Sequence, residues 1–221
     1  MHTTAKNSVA TLLLLATTTF SATAVMATTA PKPAPTTSTV AGTQANLSPE
    51  QQKIYQADVR AQQGREAMSY IVAAHRLLSG QHADEARQYL EQAKGLLTKL
   101  KSSTTAGNES TSGRVPIYSQ LGVKEGVEIT EQLKQQLGKT HLDAVRGNHE
   151  KVVEALKSVD IELQYSFVDL PVAATLEKVE SALKSLSAKD PGQAGEILAD
   201  AEAGLIHDSI VVNAVDENPA G

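Results

Sequence analysis

Apolar positions recur at helical spacing over most of the chain. Met68, Ile71, Ala74 and Leu78 share one face and predict a helix that reaches about Ser79. Its start is marked by Ser48-Pro49-Glu50-Gln51, where Ser48 can cap, Pro49 suits the first turn and Gln51 completes a capping box. Gly64 lies inside this run at a cost of about 1 kcal/mol against alanine, so the helix could be two pieces. Gly80-Gln81-His82 then turns the chain. A second helix over Ala83 to Leu100 carries its buried stripe at Ala86, Leu90, Ala93, Leu97 and Leu100. The small residues at 86 and 93 permit a close helix neighbour.

Residues 102–113 are polar and unpatterned and read as a loop. From Val115 to Leu121 apolar and polar residues alternate, and Pro116 restricts that stretch to an edge strand or extended segment. Leu133, Leu137, Leu142 and Val145 restore the helical period over 131–146, with Gly138 as a weak point. After a turn at Gly147-Asn148-His149, a short helix over Glu150 to Ser158 turns Val152, Val153 and Leu156 inward. The period then falls to two. Val159, Ile161, Leu163, Tyr165 and Phe167 alternate with polar residues, which predicts a strand that could pair with 115–121 as a two-stranded ribbon; a distorted helix is the alternative.

Pro171 opens a further helix lined by Leu176, Val179, Leu183 and Leu186, and Asp190-Pro191 starts one that runs to about His207. Residues 208–221 read as an extended, poorly ordered end, although Ile210 to Val212 could add to a strand. The pattern Ala86-x3-Leu90-x2-Ala93-x3-Leu97 recurs at Ala194, Leu198, Ala201 and Leu205. Any close-packed seam rich in alanine and leucine looks like this; a duplicated hairpin is the sharper reading. The fold class expected is mainly α, with antiparallel helical hairpins forming a bundle beside a small two-stranded β ribbon.

The first 27 residues read as a secretory signal peptide. His2 and Lys6 precede the apolar run Val9 to Ala16, and small residues offer cuts after Ala24 or Ala27. The run is far short of the roughly 20 apolar residues that span a bilayer, and an uncleaved anchor is the alternative. Residues 28–47, with Pro31, Pro33 and Pro35, read as a flexible Pro/Thr-rich linker. The expected organisation is therefore signal 1–27, linker 28–47, helical domain 48–214 and a disordered tail 215–221.

The 221 residues carry a formal charge of −5 and no cysteine or tryptophan. A disulfide scaffold and a thiolate metal site are excluded. An acidic balance with 3% aromatics argues against nucleic acid as a partner. It also gives no attraction to acidic lipids, so no stable membrane insertion is expected once the signal is removed.

Candidate chemistry is sparse. Leu133 through Gly138-Lys139-Thr140 imitates the end of a phosphate loop but lacks its first glycine. His75, His82, His141, His149 and His207 show no metal-ligand spacing on a helix. His82 and His149 follow equivalent turns and read as turn or cap residues, with a pH-sensitive charge as the functional reading. Asp160 and Glu162 lie in phase on the expected strand and mark its wet side. His207-Asp208-Ser209 holds triad residue types, but sequence neighbours cannot adopt triad geometry. The tyrosines and Phe167 are scattered and read as core. No catalytic, cofactor-binding or metal-ligating residue is singled out, and no cofactor is expected.

Arg65-Glu66-Ala67-Met68, Ala73-Ala74-His75-Arg76-Leu77-Leu78, Ala83-Asp84-Glu85-Ala86 and Leu96-Leu97 resemble the first hairpin of the YfdX family. Ala201 to Ser209 resembles its C-terminal run, and Tyr118, the Gly147 turn and Tyr165 to Pro171 fall in the family's order. The resemblance spans about 50–214. It implies a bacterial periplasmic, mostly helical, non-enzymatic protein tied to acid and drug stress, with chaperone-like behaviour and self-association proposed for relatives. The family offers no established catalytic residues to carry over. The partners so implied are proteins, unfolded clients or a second copy; a helical-hairpin module binding one specific envelope partner is the alternative reading.

Overall fold

The computed structural model describes residues 9–12, 48–105, 113–124, 130–159 and 161–214. The linker, the tail and most of the expected leader lie outside these residues, as does Asp160.

Helix α1 (Pro49–Ser79) is continuous and begins on the expected box. The Ser48 hydroxyl accepts from the Gln51 N–H, and the Gln51 side chain accepts from the Ser48 N–H. Helix α2 (Ala83–Thr105) runs a turn beyond Leu100 into the stretch expected as loop, and serine and threonine side chains there donate to carbonyls of their own helix instead of ending it. Helices α5 (Val172–Ser187) and α6 (Pro191–Ala203) form the second hairpin, α6 capped by Asp190, whose carboxylate accepts from the Gln193 N–H at 2.9 Å. Both hairpins turn on a residue with positive φ, Gln81 at 65° and Lys189 at 62°. In each, the following N–H reaches five residues back, His82 to Leu77 and Asp190 to Ser185.

The four helices enclose the larger core. The α2 stripe is fully buried, and its counterpart Ala194, Leu198 and Ala201 on α6 is almost as completely enclosed. The recurrent alanine–leucine spacing is thus the inward seam of the second arm of each hairpin.

Between the hairpins the chain lays down strand β2 (Arg114–Lys124), helices α3 (Glu131–Val145) and α4 (His149–Lys157), and strand β3 (Leu163–Pro171). α3 is unbroken at Gly138. After α6 comes strand β4 (Ile206–Val212), and ahead of α1 lies strand β1 (Val9–Leu12), from the apolar run near the N-terminus. The antiparallel sheet is ordered β1-β2-β3-β4 and so exceeds the expected ribbon. The alternation over 159–167 resolves as strand rather than helix, but pairing starts at Leu163.

The C-terminal expectation is also corrected. Helix α6 ends at Ala203, and Gly204 caps it. The residues read as the helix end and a loose tail form β4, whose pairs Leu163–Val212, Tyr165–Ile210 and Phe167–Asp208 are in regular register.

One sheet face carries Leu121, Val123, Leu163, Tyr165, Phe167 and Val212 and packs under α3 and α4 as a second core. The opposite face is divided. At one end Val115, Ile117 and Leu170 join the bundle core beneath α1. The rest has Tyr118, Gln120, Gln164, Ser166, His207, Ser209 and Val211 in register, and none of the helices among the described residues lies over it.

Candidate functional site

Strand β3 aims every second side chain at α4. Leu163, Tyr165 and Phe167 are the apolar part of that row, and Asp169 is its next member. A carboxylate in an inward phase must find donors or it is strongly disfavoured. His149, the first residue of α4, supplies them. Its Nε2 lies 3.0 and 3.1 Å from the two Asp169 oxygens. Because the carboxylate accepts, Nε2 carries the proton, and Nδ1 then accepts from the Tyr165 hydroxyl at 2.9 Å. The imidazole stacks on Phe167 with centroids 3.5 Å apart and planes within 9°. The side chains of His149 and Asp169 retain only 13% and 5% of their accessible surface.

This cluster floors a cleft of about 660 Å³ between α4 and β4. Val153, Ile206 and Ile210 form apolar walls, and Lys151, Lys157 and Asp208 stand at its rim. The cleft is broad, but its histidine is not available to a ligand: both ring nitrogens are already bonded within the protein. The arrangement suits a rigid joint between α4 and β3 better than proton transfer to a substrate.

Burial, with the charge of Asp169 beside it, pushes the Tyr165 phenol well above its ordinary 10.0. The folded state therefore holds this proton more tightly than the unfolded chain does. The associated stability is complete below pH 10 and is lost as pH rises beyond it towards the folded value. Thermal melts between about pH 9 and 11.5 should show a steeper alkaline decline for the wild type than for Tyr165→Phe. Equal slopes would show that the phenol is not desolvated.

The other residues considered from sequence are dispersed. His75 bonds Glu202 at 2.9 Å and ties α1 to α6. His82 sits in the first hairpin turn. Gly138-Lys139-Thr140 is inside α3, where the Thr140 hydroxyl donates to the Leu137 carbonyl, so no phosphate loop exists there. On β4, His207 and Ser209 face one side and Asp208 the other, as alternation requires. Glu162 precedes β3, so it is not in the strand phase assigned to it. His149 is more than a turn residue, since it is the partner of a buried carboxylate. Asp169 escapes a reading of the sequence alone; its signal is an acidic residue continuing the inward row 163, 165, 167.

Among the described residues no group of three histidine, aspartate or glutamate side chains could hold a metal ion, and no helix is long and apolar enough to cross a membrane.

The family model described as YfdX protein matches residues 67–211, from the middle of α1 to β4. The chain belongs to the YfdX family. No curated protein matches it. Among solved structures it is similar to that of Salmonella Typhi YfdX, at 24% identity and a TM-score of 0.45, over 68% of this chain and 90% of that one. The YfdX family match takes in the C-terminal part of α1, all of α2, α5 and α6, strands β2 and β3, nearly all of β4 and the whole His149 cluster.

Proposed function

We propose that this YfdX-family chain is a non-enzymatic periplasmic stress-response protein that shields other polypeptides under acid or drug stress. The observation that carries this reading is the sheet face that no helix among the described residues covers. Among the described residues, the two large apolar side chains that stand exposed, Tyr118 (37%) and Val211 (53%), both lie on it. Around them Gln164, Ser166 and Ser209 form a hydrogen-bonded polar patch. A mixed face of this kind stays soluble yet offers apolar contact to an unfolding chain. The engaged nitrogens of His149 support the non-enzymatic half of the reading, and the leader-like N-terminus supports export.

The test is suppression of aggregation of a thermally unfolding client enzyme, at pH 7 and pH 4. Protection is expected at stoichiometric excess, and the double variant Tyr118→Ser/Val211→Ser should lose most of it while melting like the wild type. No protection at either pH would overturn the proposal. Crosslinking in the envelope that yields one dominant protein, rather than many, would do so in favour of a dedicated interaction module.

A further inference from the structure

Across β2, β3 and β4 the open sheet face presents the rows Tyr118-Val168-His207 and Gln120-Ser166-Ser209, with Gln164 next to Ser166 on the same face. At pH 7 none of these side chains is charged, in a chain where 20% of residues are Asp, Glu, Lys or Arg. The acidic residues of β3 and β4, Asp169 and Asp208, stand in the opposite phase, towards the α4 cleft. Tyr118, Ser166, Val168, His207 and Ser209 line a shallow groove of about 420 Å³ on the uncharged face. That volume is within the range of small-molecule sites.

The polar groups of the groove hold one another in place. Gln164 Nε2 donates to Ser209 Oγ at 2.9 Å, and the Ser166 and Ser209 hydroxyls lie 2.9 Å apart. The Tyr118 hydroxyl donates to Gln120, which steadies an exposed aromatic ring. Hydroxyls and amides engaged once keep further donor and acceptor capacity for a ligand. This lining is selective by charge and polarity. An anion or a cation finds no countercharge in it. A wholly apolar molecule would strip water from the serines and glutamines without replacing the lost hydrogen bonds. A neutral sugar chain meets both conditions. Its hydroxyls exchange hydrogen bonds with Ser166, Ser209 and His207, while the C–H face of one sugar ring packs on Tyr118.

We infer that the groove at Tyr118, Ser166, His207 and Ser209 is a binding site for a neutral oligosaccharide. The ring of Tyr118 supplies the apolar platform, and the linked serine and glutamine side chains read the hydroxyls at its side. Saccharide binding and client shielding both use Tyr118, but neither needs the other.

The probe is cellotetraose, a flat and uncharged chain of β-1,4-linked glucose, titrated into the isotope-labelled full chain and followed by amide NMR shifts and calorimetry. Saturable binding is expected, with the shifts centred on residues 118, 166, 207 and 209. Tyr118→Ala should weaken it about tenfold, equivalent to about 1.4 kcal/mol, and Tyr118→Phe should stay within about threefold of the wild type. Ser166→Ala/Ser209→Ala should also weaken it about tenfold, the scale of two lost hydrogen bonds. These positions lie at the surface, so the variants should melt like the wild type. Val153→Arg, in the cleft on the other face, should change nothing. The same sugar chain oxidised to a carboxylate at every C6 should bind at least tenfold more weakly.

Absence of saturable binding overturns the site. So do shifts centred on the α4 cleft, which the wild type alone can reveal, and so does indifference to Tyr118→Ala. Equal binding of the oxidised chain overturns it as well, because an uncharged groove cannot hold four carboxylates as well as it holds hydroxyls. Saccharide binding without suppression of aggregation supports the site and removes client shielding; the reverse result removes the site and leaves client shielding standing.

Discussion

Asp169→Ala is expected to lower unfolding stability by about 3 kcal/mol, the scale on which removing one partner from a buried pair is felt. The substitution leaves the His149 N–H, held by the ring stack on Phe167, without its acceptor. For a chain of this size that corresponds to a fall of roughly 6–12 °C in Tm. His149→Phe should cost as much or more. It preserves a ring over Phe167 but leaves the carboxylate buried without donors. The double variant Asp169→Leu/His149→Phe should recover much of the loss, because removing both halves of a buried polar pair is far less costly than removing one. Urea unfolding of the wild type, both single variants and the double closes the cycle. A loss below about 1 kcal/mol for Asp169→Ala would mean that water reaches the pair. The cleft would then lack a rigid floor.

The helical part of this architecture was legible because helix periodicity and close packing leave the same mark on a sequence. Ala86, Leu90, Ala93, Leu97 and Leu100 are spaced for one face, and all five are fully buried. The capping residues at Ser48 and Asp190 were readable for a comparable reason: a cap is a local bond between neighbours in the chain. Strand β4 was not legible. Leu205 continues the alanine–leucine spacing of α6, so periodicity carries the helix past its real end. Gly204 stops it, and Ile206, Ile210 and Val212 gain their partners only through β3. Pairing between segments so far apart in the chain leaves no local trace beyond a short alternation. The same holds for the candidate site. From sequence His149 reads as a turn or cap residue and Tyr165 as core; their convergence on Asp169 depends on α4 lying across β3. An inward carboxylate on an apolar strand row was the one clue within the sequence itself.

Gly64 separates what a local rule says from what packing imposes, and it leads to the second large effect. By helix propensity alone, alanine here should stabilise the protein by about 1 kcal/mol. The structure reverses the sign. A Cβ at Gly64 would stand 2.6 Å from Ile117 Cγ2 and 3.3 Å from Leu170 Cδ2, where α1 crosses the sheet. The approach is fixed from the neighbouring position, since Arg65 Nη1 donates to the Ile117 carbonyl at 2.9 Å. Ile117 is branched at Cβ and lies in the bulge of β2, so it has little freedom to turn away. Overpacking a core costs about 1–3 kcal/mol, which exceeds the propensity gain. Gly64→Ala is therefore expected to be destabilising. Gly64→Leu, which must push α1 off β2, should cost more than about 3 kcal/mol and lower expression of folded protein. Gly95 in α2 provides the contrast, because a Cβ there meets nothing within 4 Å. Gly95→Ala should raise Tm by roughly 2–4 °C, about 1 kcal/mol for a chain of this length. Opposite signs for alanine at two mid-helix glycines would show that α1 rests on the sheet through a contact only glycine allows. A stabilised Gly64→Ala would mean that the helix and strand stand further apart, and that the two cores are joined by some other contact.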